Sequence, residues 1–192
     1  MKRMTLIVLV VETVLAAVGL VVGWWIGTPI LEDARVDLPS GALTLAATVP
    51  PVALVYWGMR TDSAFLARLL EPIRETLIPL FSKCSLLELL LISIMAGIGE
   101  EVFFRGFLQG SLGRVVNPWI ALALVSALFG LAHYVSLSYA IVTGLLGVYM
   151  GTLLLLTGNL FVAVAVHALF DFFAILLISR MTLSPVSAPG LP

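Results

Sequence analysis

Residues 85–108 read SLLELLLISIMAGIGEEVFFRGFL, and this stretch decides the fold of the protein. It is mostly apolar and long enough for a membrane-spanning helix, which needs about 20 such residues. It also carries Glu100, Glu101 and Arg105 at positions where a span normally has no charge. Each ionisable group inside a span costs roughly 2.5–3.5 kcal/mol on the insertion scale and is a functional candidate by default. We therefore expect a membrane helix that carries part of a site within the bilayer.

The composition of the whole chain also indicates a membrane protein. Of its 192 residues, 61% are hydrophobic and 11% are charged, and the mean hydropathy is +1.15. Soluble domains average about 45–50% apolar and about 25% charged residues. The net charge of −1 argues against nucleic-acid binding, which needs a basic patch. Cys84 is the only cysteine, so no disulfide can form within the chain.

The apolar runs predict an all-α polytopic bundle of about six transmembrane helices. The second run contains Pro50 and Pro51, which should kink its helix. The first run is too long for the apolar part of a signal peptide, so we expect an uncleaved first helix. In the fifth run, Gly147 and Gly151 lie four residues apart and predict close packing. The predicted spans cover residues 4–26, 43–59, 85–108, 118–135, 139–156 and 160–179.

The runs divide the chain into four parts. Residues 1–60 hold two N-terminal transmembrane helices, and residues 85–180 hold a four-helix catalytic core. Residues 61–84 mix charged and apolar side chains in a pattern suited to an amphipathic segment on the membrane surface. An ordinary connection packed on the bundle is an equally weighted alternative. We expect residues 181–192 to form a disordered tail.

The lysines and arginines of the loops predict the orientation in the membrane. Most would lie on the side that holds both termini, whereas Arg35 and Arg114 would lie on the other side. Because positive charge concentrates in cytoplasmic loops, we expect both termini in the cytoplasm. The localisation we expect is a prokaryotic cytoplasmic membrane, with the lipid bilayer as a partner.

The two adjacent glutamates have different surroundings on a helix. Glu101 and Arg105 lie four residues apart, so their side chains can meet as an ion pair in which the arginine holds the carboxylate. Adjacent helical residues point about 100° apart, so Glu100 faces elsewhere and has no partner on its own helix. A positioned, buried carboxylate of this kind can act as a general base. A carboxylate satisfied by a hydroxyl group or by water is the alternative.

The position of His133 predicts a contact with Glu100. The turn between the third and fourth spans centres near Asn117, and each residue lies about 16 residues away from it. In an antiparallel hairpin both therefore lie about 24 Å from the turn, and they can meet. Ser126 lies seven residues before His133 on the same face and could hydrogen-bond within the site.

His167 and Asp171 lie four residues apart on the last span. The carboxylate could fix the tautomer of the imidazole ring through a ring N–H. Counted from Asn159, the histidine lies about 12 Å deep and the aspartate about 18 Å deep, both shallower than Glu100. One alternative is that His167 and Asp171 contact only each other. In the other, they converge with the carboxylates and the imidazole of the two earlier helices on one buried pocket.

Three motifs of the chain resemble those of a known family. Residues 100–106, EEVFFRG, fit EExxxR followed by Gly; residues 129–133, FGLAH, fit FxxxH; and residues 167–171, HALFD, fit HxxxN or HxxxD. These are signatures of the CAAX-protease and bacteriocin-processing (CPBP, or Abi) family of intramembrane proteases. The resemblance covers about residues 86–177. The last motif position is Asp171, where many members have Asn, so a neutral hydrogen-bond donor there requires a protonated Asp171.

The resemblance implies that the chain hydrolyses a peptide bond within the membrane. Carried over by position, it assigns the activation of water to Glu100 and His133. It assigns stabilisation of the oxyanion to His167 and Asp171. It assigns support of the site to the ion pair of Glu101 and Arg105. Members of the family resemble prenyl-protein endopeptidases, bacteriocin-immunity proteins or proteases of sorting signals. The implied partner is a membrane-anchored peptide or protein, with a C-terminal sorting signal or a CAAX-like tail as candidates.

The mechanism implied by the resemblance is of the glutamate type, without a cofactor. Zinc is the alternative, because two histidines and one glutamate can hold it with a water in the fourth position. However, Arg105 competes for Glu101, and no HExxH pattern places two histidines on one helix face. We therefore expect no metal.

Two other classes of function remain as alternatives. A proton-coupled transporter could use the same Glu and His residues as a proton relay. The hydropathy shows no two-fold repeat of the kind that many carriers display, which argues against it. A non-catalytic bacteriocin-immunity or scaffold protein could keep the motifs as a packing network. Since all the motifs are complete, this alternative ranks third.

Overall fold

Helices are the regular elements of the described chain, and the computed structural model describes residues 3–32, 34–60, 71, 75 and 79–181. The predicted all-α fold is confirmed. In chain order the elements are α1 (Arg3–Trp25), α2 (Leu38–Arg60), α3 (Leu86–Glu100), a π-helical segment (Glu101–Gln109), α4 (Gly110–Leu112), α5 (Pro118–Ala132), α6 (Leu137–Thr157) and α7 (Leu160–Met181).

The helices have the length and surface of membrane spans. Among the described residues, α1, α2, α6 and α7 are long and apolar enough to cross a membrane, and α5 is apolar but shorter. α3 continues directly into the π-helical segment, so this helix also runs through most of the bundle. Val10, Val14 and Leu45 remain more than half exposed on the outer face, which suits contact with lipid. The chain is a polytopic all-α membrane protein.

A capping box starts α3 and explains the position of Glu88. The Ser85 side chain accepts a hydrogen bond from the Glu88 N–H at 3.2 Å, and the Glu88 carboxylate accepts one from the Ser85 N–H at 3.0 Å. This reciprocal arrangement satisfies backbone groups that a helix start otherwise leaves open. Glu88 therefore belongs to the helix end rather than to the interior of the span.

α2 starts at Leu38, five residues before the predicted start at residue 43. The Asp37 carboxylate caps it by accepting a hydrogen bond from the Ser40 N–H at 2.8 Å. Hydrogen bonding from Ser40 also lowers the pKa of Asp37 below its ordinary value. The helix then continues through Pro50 and Pro51 as one element.

α5 ends at Ala132, three residues before the predicted end at residue 135. His133 caps this end, because its Nδ1 lies 2.9 Å from the carbonyl oxygen of Phe129, one turn earlier. Ser136 then starts α6 by accepting a hydrogen bond from the Tyr139 N–H at 3.1 Å. The apolar run crosses this boundary, so hydropathy alone could not show it.

The helices pack so that α3 lies between α1 and α7. α2 covers another face of α7, and α5 packs mainly on α6. The approach of α3 to α7 depends on Gly97, because a Cβ atom there would lie 2.7 Å from the carbonyl oxygen of Val164. This close packing brings the end of α3 against the middle of α7, where His167 lies.

Two predicted segments lie largely outside the described residues. Of the predicted amphipathic segment at residues 61–84, the structure describes residues 71, 75 and 79–84. Of the predicted tail at residues 181–192, it describes only Met181, which ends α7. Both interpretations stay predictions.

Candidate active site

The π-helical segment places a row of polar side chains in the centre of the bundle. Glu101, Arg105 and Gln109 follow one another at intervals of four residues, and all three are buried. A helix continues through residue 108 as predicted. From Glu101 onward, however, it is a π-helix and not the predicted α-helix. A π-helix is rare and is frequently found at functional sites.

The predicted ion pair between Glu101 and Arg105 is confirmed. Arg105 Nη1 lies 3.1 Å from Glu101 Oε1, and both side chains are fully buried. The guanidinium group also lies over the Phe129 ring, 4.2 Å from its centroid, at a distance typical of a cation–π contact. Its nitrogens have no partner with hydrogen-bond geometry among the described residues. A second ring, that of Phe104, lies 5.9 Å away, so one carboxylate and two aromatic rings surround the charge.

The close packing predicted at Gly147 and Gly151 makes room for this polar row. A Cβ atom on Gly147 would lie 3.1 Å from Arg105 Nη2, and one on Gly151 would lie 2.5 Å from Gln109 Oε1. Gln109 also donates a hydrogen bond from Nε2 to the carbonyl oxygen of Gly151 at 3.2 Å. Without side chains at these positions, α6 accommodates the arginine and the glutamine in the bundle interior.

Glu100 and His133 meet, as their predicted depths require. His133 Nε2 lies 3.3 Å from Glu100 Oε1. The other ring nitrogen faces the Phe129 carbonyl oxygen, which only accepts hydrogen bonds, so Nδ1 carries a proton. In the neutral ring, Nε2 then presents a lone pair toward the carboxylate. The pair consequently holds a shared proton or accepts both hydrogens of one water molecule.

His167 joins the site through three carboxylates. Its Nδ1 lies 2.7 Å from Glu101 Oε1, and its Nε2 lies 3.9 Å from Glu100 Oε2 and 3.6 Å from Asp171 Oδ2. The sequence pattern gave Asp171 the task of fixing the tautomer, but the short contact is with Glu101. Glu101 was predicted only to support the site, and its position against the imidazole was missed. The rotation of one helix against another decides this contact.

The site is closed on one side and accessible on the other. The Glu101–Arg105 pair is fully buried, whereas the side chains of His133 and Asp171 are each 28% exposed and that of Glu100 is 12% exposed. Glu100 is therefore accessible from the side on which His133 and Asp171 are exposed.

Ser126 does not take the role predicted for it. It is buried on α5, but its Oγ atom has no hydrogen-bond partner among the described residues. Its backbone packs instead against Gly147, where an added Cβ atom would lie 3.3 Å from Ser126 Cα. The seven-residue spacing from His133 put it on a suitable face but could not specify its neighbour.

The described residues contain no group of three or more His, Cys, Asp and Glu side chains arranged to hold a metal ion. The zinc alternative drew on His133, His167 and one glutamate. Glu101, one of the two glutamates, is engaged by both Arg105 and the imidazole of His167.

The three motifs agree with a comparison of the sequence with known families. The sequence model described as type II CAAX prenyl endopeptidase Rce1-like matches residues 82–173, and every residue of the site discussed above lies within this range. Residues 82–173 are thus similar to the Rce1-like family, and they make up slightly less than half of the chain. The match confirms the resemblance to the CAAX-protease family and supports an integral membrane endopeptidase of the CAAX type in general. No curated protein and no solved structure matches the chain.

The matched range covers α3 to α6 and the first part of α7, and α1 and α2 lie outside it. α1 nevertheless adds a carboxylate beside the site, because Glu12 is buried against Gly99. No partner for Glu12 could be identified from the sequence. The only signal was its ionisable side chain within an apolar run, which marks a functional candidate.

Proposed function

We propose that the chain is an intramembrane endopeptidase that hydrolyses a peptide bond of a membrane-associated protein or peptide. The observation that carries the proposal is the 3.3 Å contact between Glu100 and His133 within an apolar bundle, with His167 facing the same carboxylate. A carboxylate and an imidazole in contact can activate water by general-base catalysis. The match to the CAAX-type family supports peptide-bond hydrolysis over other hydrolytic reactions.

Glu100 and His133 have the hydrogen-bonding capacity to activate a water molecule. The carboxylate oxygens and the neutral Nε2 atom all accept hydrogen, so a water beside them points its lone pairs toward the substrate carbonyl carbon. When the water oxygen attacks that carbon, Glu100 takes the proton. The same proton then passes to the amine that leaves when the C–N bond breaks. A positioned general base of this kind contributes about 10²–10⁴-fold to a rate.

His167 and Asp171 are suited to stabilise the oxyanion of the tetrahedral intermediate. His167 Nδ1 donates to Glu101, so its Nε2 can donate to an oxyanion only when the ring is doubly protonated. The three carboxylates around the ring favour this charged form. A hydrogen-bond donor preorganised at a developing negative charge is often the largest single contribution to catalysis.

Glu101 and Arg105 support this arrangement. Glu101 Oε1 contacts both Arg105 Nη1 and His167 Nδ1, so the ion pair holds the imidazole in one orientation. We propose a glutamate-type mechanism without a metal. The residues that act on water and on the oxyanion are then protein groups alone.

We propose a membrane-anchored peptide or protein as the substrate, with a CAAX-like prenylated tail as the first candidate and a C-terminal sorting signal as the second. The family description names a prenyl endopeptidase, which favours the first. The proposed location is a prokaryotic cytoplasmic membrane with both termini in the cytoplasm. In that orientation α5 and α7 both end on the cytoplasmic side, where a cytoplasmic tail can approach His133.

A cleavage assay with the full chain in liposomes tests the proposal. The probe is a quenched fluorescent peptide with a prenylated CAAX terminus, compared with the same peptide without the prenyl group. We expect cleavage by the wild type and a loss of about 100-fold or more in Glu100→Gln and in His133→Ala. The control is Glu32→Gln, which removes an exposed carboxylate outside the site. Cleavage by Glu100→Gln at the wild-type rate would falsify the proposal.

A further inference from the structure

Glu12 of α1 is a buried carboxyl group that the proposed mechanism does not use. The residue is 9% exposed, and its Oε2 atom has no hydrogen-bond partner among the described residues. An ionised carboxylate in such a place is unfavourable unless it is paired or becomes neutral by binding a proton. A neutral, protonated carboxyl group is therefore the more favourable form of Glu12 at this position.

The packing of α1 on α3 brings Glu12 to the level of Glu100. A Cβ atom on Gly99, the residue before Glu100, would lie 2.5 Å from Glu12 Oε2 and 2.6 Å from the Glu12 carbonyl oxygen. Only a glycine leaves room for the carboxyl group and the backbone of α1 at this point. The contact is thus fixed by both helices, and it places a third carboxyl group next to the glutamate pair.

Titratable groups from three elements face Glu12. Burial opposes a negative charge on Glu12, and the acidic groups of Glu100 at the end of α3 and Asp171 of α7 lie close enough to oppose it further. His133 after α5 and His167 of α7 favour that charge when they are protonated. The π-helical segment contributes the ion pair described above, whose two charges compensate each other.

Negative charges on both Glu12 and Glu100 would repel each other in a medium of low dielectric constant. His167, doubly protonated in the proposed mechanism, lies 3.9 Å from Glu100 and favours a negative charge there. Glu12 has no such contact among the described residues, so it is the carboxyl group better suited to remain neutral.

We propose that Glu12 is a positioning residue of the active site, which holds a proton while Glu100 is ionised and whose loss of that proton at alkaline pH reduces cleavage. This inference rests on the proposed function. An ionised Glu12 adds a second negative charge beside Glu100. That charge opposes the negative charge that develops on the oxyanion in the transition state. The uncharged carboxyl group keeps the site favourable for the developing anion.

The pH dependence of cleavage tests the effect on the reaction. The full chain in liposomes and the prenylated CAAX peptide are used with the wild type, Glu12→Gln and the control Glu32→Gln. A glutamine has nearly the same shape but cannot ionise. We expect the alkaline pH of half-maximal activity to rise by about one unit in Glu12→Gln and to stay unchanged in the control. Identical alkaline limbs in all three proteins would overturn the proposal.

Infrared spectroscopy of the purified full chain tests the proton itself, independently of activity. At neutral pH, we expect the C=O stretch of a protonated carboxyl group in the wild type and in Glu100→Gln, and its loss in Glu12→Gln. Glu12→Asp should keep a shifted band, which decides the matter if Glu12→Gln does not fold. Absence of the band from the wild type overturns the proposal. Full activity of Glu100→Gln would contradict the proposed function. That result would be independent of whether the C=O band of Glu12 is present.

Discussion

Glu101 Oε1 lies 2.7 Å from His167 Nδ1 and 3.1 Å from Arg105 Nη1, so one carboxylate oxygen joins a buried cation to an imidazole. The adjacent Glu100 faces His133 and has no contact of this kind with the arginine. Glu101 thus orients His167, whereas Glu100 contacts His133. Substitutions at the two positions should have different consequences for stability.

Replacing Glu101 by Gln should destabilise the protein. The substitution leaves Arg105 charged and without its carboxylate in a fully buried position, and breaking a buried pair costs about 3–5 kcal/mol. Thermal unfolding of the purified protein measures the loss. The matched control is Glu100→Gln, the same change one residue earlier, which should unfold close to the wild-type temperature. Equal unfolding temperatures for both variants and the wild type would show that the ion pair has no structural role.

Replacing Gly97 by Ala should separate α3 from α7. The new Cβ atom would lie 2.7 Å from the Val164 carbonyl oxygen and 3.0 Å from the backbone nitrogen of Ala168, so the helices must move apart. Overpacking of this kind costs about 1–3 kcal/mol, and a shift of about 1 Å at a catalytic group can reduce a rate by about 100-fold. Thermal unfolding and peptide cleavage measure the two effects.

The control for this substitution is Gly58→Ala on α2, where an added Cβ atom meets nothing within 4 Å among the described residues. Alanine is also the better helix former, so we expect no loss of stability or activity there. If Gly97→Ala behaves like Gly58→Ala, the close approach of α3 to α7 is not needed for the site.

Replacing Asp171 by Asn should preserve most of the activity. Glu101 already fixes His167 through Nδ1, so the negative charge of Asp171 at 3.6 Å is not needed for that purpose. An amide supplies a hydrogen-bond donor for the oxyanion, which an ionised carboxylate lacks, and we expect activity within about tenfold of the wild type. Asp171→Leu has neither a donor nor a charge and should lose about 10²–10³-fold. If the Asn and Leu variants are equally inactive in peptide cleavage, the negative charge itself is required.

Removing divalent metal ions should leave cleavage unchanged. The proposed glutamate-type mechanism uses Glu100 and His133 directly, so a chelator should have no essential ion to extract. Elemental analysis of the purified protein and cleavage before and after chelation measure this, with a zinc protease treated in parallel as the control. Stoichiometric zinc whose removal abolishes cleavage, and whose return restores it, would replace this mechanism with a zinc-dependent one.

The contacts that follow from helix geometry could be predicted from the sequence. The Glu101–Arg105 pair depends only on the spacing along one helix, and the approach of Glu100 to His133 depends on the length of one hairpin. The contact of His167 with Glu101 depends on how α7 is rotated against the π-helical segment. Hydropathy does not determine that rotation, and the depth count assumed the rise of an α-helix throughout.

The ends of helices were predicted less well for a related reason. Asp37 starts α2 and His133 ends α5 through side-chain hydrogen bonds to the backbone. Apolar runs extend across such boundaries or stop short of them. The π-helical geometry from Glu101 to Gln109 was also missed, because the spacing of its buried residues is close to that of an α-helix.

The early end of α5 has a consequence for the surrounding lipid. With 15 residues, α5 is about 22 Å long, whereas the hydrocarbon core of a bilayer is about 30 Å thick. A span shorter than the hydrocarbon is accommodated by local thinning of the bilayer. Because His133 lies at that short end, we expect the membrane to be thinnest where the site opens. Such thinning would bring the aqueous phase toward Glu100 and supply the proposed hydrolysis with the water that lipid excludes.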